Sequence, residues 1–160
     1  MKVGTYSVLL AAVFLGLGGS FAWDQVERAS AEPARTTEAV RSTGERIQFG
    51  LCHRGGGYNC VVDGDTIWLN GQNIRVADID APETHEYRCP EEKSLGDRAT
   101  QRVQELVNSG PVTLRSIDRD EDIHGRKLRV VEVSGKSVGA ALVEEKLARW
   151  YRARREPWCD

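Results

Sequence analysis

The chain opens on an apolar stretch. After Lys2 no formally charged residue occurs until Asp24, and residues 8–17 are strongly apolar. Ser20 and Ala22 put small side chains where a signal peptidase cuts, so residues 1–22 read as a secretory signal peptide. Left uncleaved, residues 3–23 are long enough to act as a membrane tether. Both readings put the rest of the chain outside the cytoplasm: secreted or periplasmic, or membrane-anchored on that side. Residues 23–46 contain Pro33 and few large apolar side chains, and read as a disordered linker. The folded domain is expected over residues 47–160.

Within that domain the pattern alternates first and then turns helical. Cys60-Val61-Val62 leads into Asp63-Gly64-Asp65, and Thr66-Ile67-Trp68-Leu69 is a β-prone run. Asn70-Gly71 is a strong short hairpin signal, and the return strand is expected over residues 72–79. It sets Ile74 and Val76 on one face and Arg75 and Ala77 on the other, and Ala81-Pro82 ends it. Leu95, Ala99, Val103, Leu106 and Val107 recur at helical spacing and predict a helix over residues 91–108. Glu91 and Glu92 favour its start, Gly110-Pro111 its stop, and Gly96 weakens it locally. Strands follow at residues 112–117 and 127–133, separated by a polar loop at 118–125. A shorter helix over residues 137–147 takes Ser137 as its N-cap. Five short strands and two helices in this order predict an α+β domain on a closed or partly closed barrel.

Composition narrows the class. The 160 residues are 40% hydrophobic and 29% charged, a globular balance, and the formal charge of −2 excludes a globally basic, histone-like binder. No repeat of useful length is present, which excludes solenoids and propellers. Four cysteines, Cys52, Cys60, Cys89 and Cys159, fit two disulfides in an exported chain. Three pairings are open; the short loop favours Cys52–Cys60, which leaves Cys89–Cys159 to tie down the tail. Free buried thiols and a zinc site using Cys52, His53, Cys60 and Cys89 are the alternatives, and that spacing matches no standard zinc module.

The polar chemistry gathers at the two ends of the predicted hairpin. Asp63 and Asp65 enter it, and Asp78, Asp80 and Glu83 leave it. Each loop alone is ordinary turn chemistry. Brought side by side, the carboxylates repel one another unless a cation or arginines compensate, and all-oxygen ligands suit Ca²⁺ or Mg²⁺. Arg75 and Arg126 are the arginines placed to do so. Beside a metal they also point to an anionic substrate, phosphate above all, because the guanidinium fork matches its oxygens in pairs. The acidic run Asp118-Arg119-Asp120-Glu121-Asp122 fails as an EF-hand loop, with Ile123 where glycine is needed and Arg129 where glutamate is needed, and reads as a solvated loop.

The ordered set Asp63-Gly64-Asp65-Thr66, Arg75, Asp80-Ala81-Pro82-Glu83-Thr84 and Gly125-Arg126 resembles the staphylococcal nuclease (thermonuclease) family across residues 59–150. That resemblance implies an OB-fold, a five-stranded β-barrel with two to three helices. It implies Ca²⁺-dependent hydrolysis of DNA and RNA phosphodiesters that leaves 3′-phosphate and 5′-hydroxyl ends. By similarity, Asp65, Asp80 and the Ala81 carbonyl hold Ca²⁺, and Asp63 supports them from behind. Glu83 orients or deprotonates the attacking water, and Arg75 and Arg126 grip the scissile phosphate. Two positions depart from the pattern: Ala81 stands where threonine is common, and His124 where tyrosine is common. A third helix after Trp150 is replaced by a short tail that a Cys89–Cys159 bridge would staple.

Lys146, Arg149, Arg152, Arg154 and Arg155 form a basic run interleaved with Trp150 and Tyr151, either a nucleic-acid-binding surface or a solvated helix end. Arg149, Arg152 and His124 are the candidate substrate contacts; His53 and His85 read as plain surface histidines. No protein partner is implied by the resemblance. The competing functions are a non-catalytic OB module that binds nucleic acid or protein, and a disulfide-braced structural domain that binds a cation.

Overall fold

The computed structural model describes residues 46–53 and 56–160. The expected signal peptide or tether and nearly all of the expected linker lie outside the described residues. Among those described, no helix is long and apolar enough to cross a membrane.

The elements form where local chemistry favours them. Strand β1 (Gly50–Leu51) runs parallel to β2 (Cys60–Asp63), which turns through Gly64-Asp65 into β3 (Thr66–Leu69). β3 pairs antiparallel with β4 (Gln72–Val76) through the Asn70-Gly71 turn. Both turn residues take positive φ, 52° and 77°, the geometry that matches the right-handed twist of the flanking strands. The short strand β5 (Ile79–Asp80) comes next, and then helix α1 (Pro90–Asn108) begins with Pro90 in its first turn and Glu91 and Glu92 at its positive end. β6 (Val112–Glu121), β7 (Lys127–Val133) and β8 (Lys136–Ser137) follow. Helix α2 (Val138–Glu144) starts at Ser137, whose hydroxyl accepts from Ala140 N at 3.1 Å, and β9 (Arg149–Trp150) closes the series.

The main sheet runs in the order β1-β2-β3-β4-β7-β6, with β8 on β7, and a second ladder joins β5 to β9. The molecule is therefore α+β. It differs from the expected five strands because turns and bulges cut the ladders into shorter pieces. The return strand is one such case. After Val76 the chain leaves β3: Ala77 N donates to Arg129 O at 2.9 Å, and Asp78 O accepts from Tyr151 N at 2.9 Å. The expected strand over 72–79 is thus β4 and β5, which belong to different ladders. Among the described residues no ladder joins β6 to β1, so the hydrogen-bonded ring of a closed barrel is not completed.

Two further expectations are corrected. The acidic stretch after Ile117 is not a loop, because β6 continues to Glu121, with a register irregularity before it pairs with Lys127. The second helix stops at Glu144, short of 147. Strand β9, which the sequence pattern did not predict, docks on β5 with Ile79 opposite Trp150 and Asp80 opposite Arg149.

The core is aliphatic. Val61, Ile67, Ile74, Val76 and Ile79 meet Val103 and Val107 of α1, Val131 of β7 and Leu142 of α2. Each buried side chain of this size is worth about 1.5–3 kcal/mol. Two glycines set how closely α1 approaches the hairpin. A Cβ on Gly64 would lie 2.7 Å from Ala81 Cβ and 2.8 Å from Ala99 Cβ, and one on Gly96 would lie 2.8 Å from Pro82 O. Gly96, a weak point for the helix by propensity, is where α1 touches the backbone of the Pro82-Glu83 segment.

Candidate active site

The turn from β2 to β3 puts Asp63 and Asp65 on either side of Gly64, and Asp65 N donates to Asp63 Oδ1 at 3.0 Å. Register then sets Arg75 of β4 opposite Thr66 of β3. Asp65 becomes the hub. Its Oδ1 accepts from Arg75 Nη1 at 2.6 Å and from Thr66 Oγ1 at 3.1 Å, and its Oδ2 accepts from Ala81 N at 3.1 Å. The last bond ties the exit of β5 to the entrance of β3. Asp65, Arg75 and Asp80 are all buried, with exposures of 3%, 8% and 4%. Charges this deep persist because each is paired or hydrogen-bonded.

Asp80 is less well served. Its Oδ1 is buried without a hydrogen-bond partner; two guanidiniums approach it as ion pairs, Arg155 Nε at 3.2 Å and Arg75 Nη2 at 3.8 Å. Burial pushes the Asp80 carboxyl up, Arg155 and Arg75 oppose that, and the Asp65 charge adds to it. Asp63 is pushed up to about 7, first by burial and then by the charge of Asp65. A site that holds Asp63 and Asp80 against ionisation, and leaves one buried Asp80 oxygen without a hydrogen bond, has the donor set and the charge deficit that a hard cation satisfies. Asp65, Asp80 and the Ala81 carbonyl fit Ca²⁺ on those grounds.

The sign of the Asp63 shift gives a stability prediction. The folded form holds this proton more tightly than the unfolded chain, whose carboxyl titrates near 3.8. The contribution is fully present below that value and is lost as pH rises to about 7. In chelator, Asp63→Asn is therefore expected to melt above wild type at pH 7 and to converge with it near pH 4, measured by thermal denaturation across that range.

Arg126 is held from the other side. Asp122, four residues earlier, accepts from Arg126 Nε at 2.7 Å through Oδ2, and from His124 N and Arg126 N at 2.9 Å each through Oδ1. Burial alone would raise the Asp122 carboxyl, but these N–H bonds and the guanidinium outweigh it and hold it below the usual range. Arg126 Nη1 also donates to Thr66 Oγ1 at 3.4 Å, which links both arginines through Thr66 and Asp65. Asp122 is not among the residues expected at the site, and Thr66 enters the expectation only as the end of the Asp63-Gly64-Asp65-Thr66 motif, with no role of its own. The spacing of Asp122 to Arg126 around Gly125 (φ 74°) was the available signal, masked by the acid-rich run that contains it.

Arg75, Glu83, Arg126, His124, Tyr151 and Arg155 line one open cleft of about 930 Å³. Glu83 carries an ion pair from Arg155 Nη1. The structure thus brings Arg75, Glu83, Arg126 and His124 to that cleft, while Asp65 joins it through Arg75, Asp80 and Ala81 line adjoining pockets, and Asp63 shares a further pocket with Arg126. It does not bring Arg149 and Arg152 into that cleft. Both line a neighbouring pocket of about 350 Å³, and Arg149 stacks on Trp158 at 3.5 Å while donating to Pro157 O at 3.1 Å. The cysteines pair as Cys52–Cys60 and Cys89–Cys159, so neither the zinc site nor free thiols exist.

The family model described as staphylococcal nuclease homologue matches residues 73–159. That match begins beyond the Asp63-Gly64-Asp65 turn, whose place in the site rests on the geometry above. Two relatives from Bacillus subtilis (strain 168) align over 94 residues, 55% of this chain. The SPbeta prophage-derived endonuclease YokF is 43% identical, and the stretch is 31% of its length. Endonuclease YncB is 42% identical, and the stretch is 44% of its length. The alignment thus spans less than half of either relative. With the family model covering more than half of its residues, the chain belongs to the staphylococcal nuclease homologue family.

Proposed function

We propose that this protein is a calcium-dependent endonuclease that hydrolyses DNA and RNA phosphodiesters and leaves 3′-phosphate ends, on an OB-fold barrel of the family type. The observation that carries the reading is the cleft that Arg75, Arg126 and Glu83 line together, with Arg75 bonded to Asp65 at 2.6 Å and lying 3.8 Å from Asp80. Asp65, Asp80 and the Ala81 carbonyl would hold calcium, which when bound would supply positive charge to a phosphate oxygen and to nearby water. Arg75 and Arg126, each fixed by a carboxylate partner, donate N–H bonds to phosphate oxygens as charge builds on them. Their forks are set before substrate arrives, so little reorganisation is required. Glu83 takes a proton from the attacking water at its carboxylate once Arg155 no longer occupies it. Asp63 holds the Asp65 backbone and so the turn. The strand order β1-β2-β3-β4-β7-β6, coiled around one aliphatic core, supports the OB reading. Two disulfides favour an oxidising compartment, in line with export or tethering through residues 3–23.

The test is cleavage of single-stranded DNA and of RNA by the oxidised chain, with Ca²⁺ and with chelator. Cleavage is expected with Ca²⁺ alone. Glu83→Gln is expected to lower the rate by about 10²–10⁴ while binding persists. A folded wild-type protein that binds but does not cleave would replace the enzyme reading with the non-catalytic module.

A further inference from the structure

The tail after β9 has an unexplained construction. Tyr151 N is bonded to Asp78 O, and the chain turns at Ala153 with φ 64°. Arg149 clamps the far side of the loop through Pro157 O and the Trp158 ring, and Cys159 is bridged to Cys89, the residue that caps α1. A segment without regular structure is thus closed into a loop at three points. Of its three arginines, Arg152 and Arg154 line the neighbouring pocket, while Arg155 enters the cleft shared by Arg75 and Arg126.

We propose that Arg155 is a substrate-binding residue, a third guanidinium delivered by the disulfide-anchored tail to hold a phosphate of the nucleic-acid strand. The inference rests on the nuclease reading of the cleft and adds a group that comes from the tail and not from the barrel. Arg155 now pairs with Asp80 and Glu83, both negative groups of the site itself. Its side chain remains 48% exposed, so a ligand can reach it without unfolding anything. A cation at Asp65 and Asp80 cancels part of the charge that holds Arg155. The tether keeps the freed fork in the cleft, where phosphate oxygens are the matching acceptors. The Cys89–Cys159 bridge is the positioning element, because it determines where the loop ends.

Binding is measured apart from cleavage, in a Glu83→Gln background with Ca²⁺. Fluorescence anisotropy of a labelled oligothymidylate is recorded between about 50 and about 200 mM salt. Arg155→Ala is expected to weaken binding about tenfold and to flatten the slope of log K against log salt by about 0.7, the value of one single-strand phosphate contact. Arg155→Lys is expected to keep the slope and lose part of the affinity. Cys89→Ser with Cys159→Ser is expected to reproduce the Arg155→Ala slope while circular dichroism shows an intact fold. An unchanged slope in Arg155→Ala, or no binding by the parent, overturns the proposal. A bridge variant with the parent's slope overturns the positioning role of the disulfide. Wild-type cleavage decides the nuclease reading separately: a protein that fails to cleave but shows the Arg155-dependent slope loses that reading and keeps this one.

Discussion

Arg75→Ala is expected to lower the turnover of DNA cleavage by about 10²–10³, the usual cost of removing one strong electrostatic donor from a transition state. The donor in question is prepositioned: its Nη1 is 2.6 Å from Asp65 Oδ1, and it is 8% exposed. The same substitution leaves Asp65 buried without its cation, and breaking such a pair costs about 3–5 kcal/mol. Two effects are therefore superimposed, and they separate by measurement. The melting temperature without metal should fall, and saturating Ca²⁺ should recover part of it, because the cation now compensates Asp65. Turnover should not recover, since the fork that met the phosphate is gone. Arg75→Lys keeps the charge without the fork and should be more stable than Arg75→Ala while remaining slow. A folded Arg75→Ala protein whose turnover lies within about threefold of wild type would remove Arg75 from the chemistry.

Loss of the Cys89–Cys159 bridge carries the largest stability change expected. Its partners are 70 residues apart, and closing a loop of that length restricts the unfolded chain by about 4 kcal/mol in the chain-entropy account. The Cys52–Cys60 bridge spans a separation of 8 and is worth about 2.5 kcal/mol by the same reasoning. Urea unfolding of the two Cys→Ser pairs should rank them in that order. The long bridge has a second consequence that the short one lacks. It fixes the end of the loop that carries Arg155 and backs the pairing of β9 on β5. Its removal should therefore weaken strand binding as well as stability, whereas Cys52→Ser with Cys60→Ser should leave binding near wild type. Equal loss from both pairs would contradict this ordering.

Much of the frame could be read along the chain because the signals are local. Asn70-Gly71 demanded a two-residue turn. The apolar spacing from Leu95 to Val107 made a helix, and Ser137 capped the next one. Each involves residues within a few positions of one another, and propensity and periodicity act at that range. The order of Asp63, Asp65, Arg75, Asp80 and Glu83 was legible for a related reason: a hairpin returns its ends to the same place, so spacing predicts proximity.

Charge runs are ambiguous for the opposite reason. An acid-rich stretch looks alike whether its carboxylates face water or grip arginines, so Asp122 as the anchor of Arg126 was invisible until β6 and β7 paired. The basic run held the same ambiguity, and folding divided it. Arg149 braces the tail, Arg152 and Arg154 face the neighbouring pocket, and Arg155 enters the cleft. By itself the sequence determined the hairpin, both helices, the two inward-turned acidic loops and the class of chemistry they serve. Only the tertiary structure decided the parallel pairing of β4 with β7, the docking of β9 on β5, and which arginines meet which carboxylates. Those contacts join positions far apart in the chain, and their partners are selected by the packing and closure of the whole domain, which no local pattern encodes.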